Sequence, residues 1–134
     1  EVTATVEDTC SISATNLAFG LYDPAADHVN GTSTITATCT ENTTYDIGLD
    51  AGVHSASATT TTRAMRAGSS DYLDYELYQD SNRDTVWGNV IDTNTLQKTS
   101  PGGDEIHTVF GRIPGGQFVP AGSYSDTITV TITY

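Results

Sequence analysis

The stretch Asp126-Thr127-Ile128-Thr129-Val130-Thr131-Ile132-Thr133-Tyr134 alternates strictly, with Ile128, Val130, Ile132 and Tyr134 on one face and threonines on the other. A period of two built from β-branched and aromatic residues predicts a β-strand with one face buried. Nothing follows Tyr134 in the sequence to pair with the free edge of that strand, so an open edge is expected there. At the other terminus Val2, Ala4 and Val6 alternate with Thr3 and Thr5, which reads as a second strand flanked by acids. Strand at both ends without a closing element invites pairing between molecules.

The intervening sequence repeats the pattern in short pieces. The run 16–22 precedes a turn at Asp23-Pro24, and Ile35, Ala37 and Cys39 alternate with threonines across 32–40. Tyr45, Ile47 and Leu49 alternate with Asp46, Gly48 and Asp50, after a hairpin turn at Asn42-Thr43. Residues 51–70 read as loop plus a brief edge strand, and Leu73, Tyr75 and Leu77 as a clear strand. Residues 79–83 turn, 85–88 begin another short strand, 92–104 read as loop, and 106–113 as strand. Short strands separated by turns predict an all-β, antiparallel sandwich of one domain.

Lys and Arg number 5 against 17 Asp and Glu among 134 residues, a net charge of −12. That surface repels phosphate backbones and anionic headgroups, which argues against nucleic-acid or membrane-surface partners. No apolar run approaches the roughly 18 residues of a membrane helix. No signal peptide is evident, so an exported protein is expected to be in its mature form here. Cys10 and Cys39 are the two cysteines. A disulfide between them is the favoured reading, contributing on the order of 3 kcal/mol and implying an oxidising compartment. Two buried thiols are the alternative.

Candidate chemistry is sparse. Asp80-Ser81-Asn82-Arg83-Asp84 resembles the opening of a calcium loop, but Thr85 and Ile91 stand where a helical calcium hand needs Gly and Glu. It reads instead as a hairpin turn. His107 has no second ligand at metal spacing, and Asp71, Asp74 and Glu76 read as a solvated strand face rather than a glycosidase dyad. Trp87 could stack on a sugar but reads as core. No catalytic, cofactor-binding or metal-binding set emerges, and no enzyme is expected.

Several pieces in order resemble the spore coat protein U family, which includes pilin subunits of archaic chaperone–usher pili. They are Cys10-Ser11-Ile12-Ser13, the run from Leu17 to Pro24, and the segment around Cys39. Further along come 45–52, 73–80 with Val86-Trp87-Gly88, 111–117, 121–127 and the terminal strand. The resemblance implies an incomplete immunoglobulin-like β-sandwich completed by a donor strand, with residues 1–9 as donor segment and 10–134 as the domain. Val2, Ala4 and Val6 would be the inserting side chains, and Ile128, Val130, Ile132 and Tyr134 the acceptor edge. The implied function is a structural pilin that polymerises by donor-strand exchange into a surface fibre for adhesion and biofilm formation. Its implied partners are identical subunits, a periplasmic chaperone and an outer-membrane usher. The implied location is the periplasm during assembly and the cell surface afterwards. A spore-coat or envelope protein of the same fold is the alternative, and a sugar-binding tip module a further one.

Overall fold

The structure, a computed structural model, describes residues 1–134. Nine strands and no helix make up the chain: β1 (Cys10–Ala14), β2 (Val29–Cys39), β3 (Thr44–Leu49), β4 (Ala64–Ala67), β5 (Asp71–Asp74), β6 (Glu76–Tyr78), β7 (Leu96–Thr99), β8 (Gly103–Ile113) and β9 (Val130–Thr133). One sheet has the order β1-β2-β8-β6, a second β7-β3-β9, and β4-β5 form a small third. All pairings are antiparallel. This is the all-β sandwich that the alternation predicts.

The inward residues of the two main sheets form the core. Ile35, Ala37 and Cys39 on β2 and Val109 and Ile113 on β8 face Tyr45, Ile47 and Leu49 on β3. Trp87 is buried among them and its indole N–H donates to the Ile47 carbonyl at 2.8 Å, which leaves no face for a sugar. Cys10 stands opposite Cys39 in the β1–β2 register, and the two are joined as a disulfide.

The two long strands define the ends of the sandwich. Cys39 pairs with Gly103 at one end and Val29 with Ile113 at the other. Cys10 and Thr133 lie toward the first, termed the arm end because residues 1–9 leave the domain there. Tyr22, Pro114 and Gln117 meet at the second, the far end.

Several expectations are corrected. The strand expected over 126–134 forms a ladder only at Val130–Thr133, because its partner β3 ends at Leu49 and the chain turns away at Gly52, where φ is +79°. Residues 85–88 contribute a single bridge, Tyr78 to Val86, rather than a strand. The loop expected over 92–104 contains β7, whose Leu-Gln-Lys-Thr sequence carries no alternation and is ordered by pairing with β3. The strand over 73–77 breaks at Tyr75, where the chain leaves β4 and joins β8. Asp46 and Gly48, which alternate with the apolar residues of β3, are buried as well. Thr95 donates to the Asp46 carboxylate at 2.8 Å, and the backbone of Asn89 lies over Gly48.

Candidate functional site: an apolar groove between two unpaired segments

A groove of about 1160 Å³ runs between residues 14–22 and 117–130. Its floor is the sandwich core itself: Ile35, Leu49, Leu73, Leu77, Val109 and Ile113 all line it. One wall is the chain after β1. Thr15 makes the last bond to β2, from its N–H to the Thr34 carbonyl at 2.9 Å. The chain then crosses inward, with Leu17 and Phe19 lying on the Gly31–Gly111 pair of β2 and β8. Glycine at both positions lets this wall lie close against the sheet. A Cβ on Gly111 would lie 2.8 Å from Phe19 and 2.9 Å from Leu17, closer than packed carbons approach.

The opposite wall is the approach to β9, held along its other edge by side chains standing in for a ladder. The Asp50 carboxylate accepts from the Thr129 N–H at 2.9 Å, while the Asp50 N–H donates to the Thr129 carbonyl at 3.2 Å. The Asp126 carboxylate, with its side chain 2% exposed, accepts from the Val53 N–H at 3.0 Å and the Tyr75 hydroxyl at 2.6 Å. His54 Nδ1 approaches the same carboxylate at 3.4 Å and the Ser125 carbonyl at 3.1 Å. Burial first, and then the Asp126 carboxylate, push the Tyr75 hydroxyl far above the usual phenol range, so it remains a donor. At the far end the Tyr22 side chain spans both walls. It donates to the Pro114 carbonyl at 2.7 Å and accepts from the Gln117 N–H at 3.1 Å.

Residues 16–22 on one wall, and 118–124 and 126–128 on the other, make no backbone–backbone hydrogen bond. Extended chain normally satisfies its N–H and C=O groups in a ladder. Here two segments, one interrupted at Gly20 where φ is +78° and the other bent at Ala121-Gly122, flank an apolar floor with their main chains unpaired. Residues 124, 126, 128, 130 and 132 are at least partly buried and those between them exposed, so the period of two persists where the ladder does not.

The predicted acceptor residues divide. Ile128 and Val130 line the groove, while Ile132 packs on the core nearer the arm end. Tyr134 lies beyond the last register pair, Asp46–Thr133, and is largely exposed. Val2, Ala4 and Val6 belong to no ladder within the chain and are exposed, whereas the base of the arm is fixed. Thr9 N–H donates to Thr40 Oγ1 at 3.1 Å, Thr40 N–H to the Thr9 carbonyl at 3.0 Å, and the Thr43 hydroxyl to Asp8 at 3.3 Å. The wall at 14–22 carries its only sequence signal in Leu17 and Phe19, whose alternation stops at Gly20, where φ is +78°.

The other candidates resolve into structural roles. Asp80 accepts from the N–H groups of Asp84 and Thr85, each at 3.0 Å, which closes the expected turn. His107 Nε2 lies 2.8 Å from the Tyr45 hydroxyl, which donates to Glu105 at 2.7 Å. Glu76 is a correction to the solvated-face reading: it is largely buried against the fully buried Arg63 guanidinium.

Comparison with known proteins places this chain in a family. The Spore Coat Protein U domain model matches residues 1–131. Protein U of Myxococcus xanthus is 38% identical over 145 aligned positions, covering 98% of this chain and 80% of that protein. Among solved structures, the CsuC-CsuE chaperone-tip adhesion subunit pre-assembly complex from archaic chaperone-usher Csu pili of Acinetobacter baumannii matches with a TM-score of 0.71 and 26% identity. That match covers 97% of this chain, which spans 40% of the length of the chain it matches. The all-β architecture, the family match along nearly the whole sequence and the shared fold agree: the chain belongs to the Spore Coat Protein U domain family.

Proposed function

We propose that this protein is a structural subunit of a chaperone–usher surface fibre, polymerising by donor-strand exchange. The observation that carries the reading is the groove, whose apolar floor lies between two walls of unpaired main chain. A strand inserted there gains main-chain hydrogen bonds along its edges while alternate side chains cover the core. Residues 1–9 of a neighbouring copy have the required pattern. At about 3.3 Å per residue they reach roughly 30 Å, and the wall at 14–22 has the same number of residues. Burying Val2 and Val6 contributes about 3–6 kcal/mol before ordering is counted, so lasting attachment rests on the ladder and slow exit.

The position of the arm also sets the polarity. Each arm leaves at the arm end, so a donor running parallel to the last strand would bring its own domain to the end where the acceptor's arm departs. An antiparallel donor brings its domain to the far end, and the chain of subunits extends. A periplasmic chaperone covering the groove before assembly and an outer-membrane usher complete the route, with the exported subunit ending on the cell surface in adhesion and biofilm formation. The family and its fold are structural and non-enzymatic.

The test is assembly. The chain forms multimers that resist SDS and dissociate on heating, and deleting residues 1–9 abolishes them. A protein whose association state ignores that deletion contradicts the reading. The match to the Spore Coat Protein U domain model favours a second reading, an envelope or spore-coat protein with the same joint. Electron microscopy of cells for thin filaments separates the two. A sugar-binding tip role loses its main residue, because Trp87 is buried.

A further inference from the structure

The far end of the sandwich carries two large apolar side chains in water. Leu21 is 97% exposed and Phe118 77% exposed. Each sits one residue from the hydrogen bond that marks this end, Leu21 beside Tyr22 and Phe118 beside Gln117, whose N–H donates to the Tyr22 hydroxyl at 3.1 Å. Two exposed apolar residues mark a contact surface only if something is held against them.

The arm supplies that argument. Thr9 and Asp8 are hydrogen-bonded to the turn at 40–43 of their own domain, while Val6 is the last apolar residue of the donor pattern. Only Glu7 separates a seated Val6 from the fixed Asp8, a tether of roughly 7 Å. The donor's domain therefore cannot hang on a flexible linker. Its arm-end turn, with exposed Glu41, Asn42 and Pro101, is drawn onto the acceptor's far end.

We infer that Leu21 and Phe118 form a second contact between successive copies of this chain, packing against the 40–43 turn and Pro101 of the copy whose arm fills the groove, so that the joint is stiff. This rests on the donor-strand reading and adds an interface outside the groove.

Replacing Phe118 with the photo-crosslinker benzoylphenylalanine in the full-length chain tests it. Irradiated multimers should yield cross-links from position 118 to residues 40–43 or 100–103 of a second copy. In parallel, the L21S/F118S pair should still assemble but release subunits about tenfold faster on dilution, since affinity changes within one interface appear mainly in dissociation. Multimers with no such cross-link, or with unchanged release, overturn the second contact while leaving donor-strand exchange intact. Cross-links only to a chaperone also overturn it. Absence of multimers from the parent chain overturns both.

Discussion

Replacing Arg63 with methionine probes the least solvated charge in the molecule. Its guanidinium donates to the Leu49 carbonyl at 2.9 Å, to the Asp50 carbonyl at 2.7 and 2.9 Å and to the Trp87 carbonyl at 2.8 Å, and it pairs with Glu76. Methionine retains the stem and removes every donor, leaving a largely buried carboxylate and three carbonyls without this partner. Removing one member of a buried ion pair destabilises by about 3–5 kcal/mol. Unfolding entropy near 2.1 cal/mol/K per residue gives about 0.28 kcal/mol/K for 134 residues, so Tm falls by about 11–18 °C. The sign with pH is also determined. Burial raises Glu76 above the usual carboxylate range, with the Leu77 N–H and Arg63 opposing it, and losing Arg63 raises it further. Protonation then removes the uncompensated charge, so the deficit of R63M is largest at neutral pH and shrinks as pH falls through that raised range. R63M/E76Q should lose less than the two single changes combined. Circular-dichroism melts of the disulfide-intact protein at pH 7 and pH 4 read all of this. A variant within about 3 °C of the parent at both would show that Arg63 does not carry the junction.

Three further outcomes follow from particular contacts. Gly111→Ala sets a methyl against Phe19 and Leu17 and lifts the groove wall, at about 1–3 kcal/mol in denaturant melts; an unchanged midpoint contradicts that packing. Burial holds His107 below the usual imidazole range, with Glu105 pulling it up and Lys98 adding to the lowering. Its folded pKa is thus below the unfolded one. The associated stability is present above about pH 6.5 and is lost as pH falls from there, so H107Q should flatten the urea midpoint between pH 7 and pH 5, and an unaltered slope counts against it. Reducing the Cys10–Cys39 bridge frees the base of the arm as well as the loop, and should lower stability by about 3 kcal/mol while weakening multimers; intact multimers in reductant contradict the anchoring role.

The parts of the fold legible in the sequence are those where one face is buried and the other wet. β2 shows as alternation because it packs Ile35, Ala37 and Cys39 inward between less buried threonines; β3 alternates in residue type, although Asp46 and Gly48 are buried as well. β7 does not, because an edge strand of Leu-Gln-Lys-Thr is ordered by its ladder with β3 and not by burial. Arg63 is likewise silent in sequence. An arginine in a loop reads as solvent-exposed, and its burial becomes visible only when three carbonyls and Glu76 converge on it. The acceptor side of the groove was half legible. The period of two at 126–134 marks the last strand, but the opposite wall depends on the Gly31–Gly111 pair, which meets only through the β2–β8 register. Tyr134 continues the pattern and yet lies outside the groove, since periodicity reports which face a residue is on and not where the partner strand stops.

Hydrogen exchange at the groove walls tests the central claim most directly. Amides of 16–22 and 118–128 are almost all without backbone partners in the single chain and should exchange quickly in the monomer. In multimers a donor strand pairs with these walls, and the amides facing it should slow by roughly a hundredfold, with the protection absent when residues 1–9 are deleted. Equally fast exchange of both walls in monomer and multimer would contradict the account, because the subunits would then be joined somewhere other than this groove.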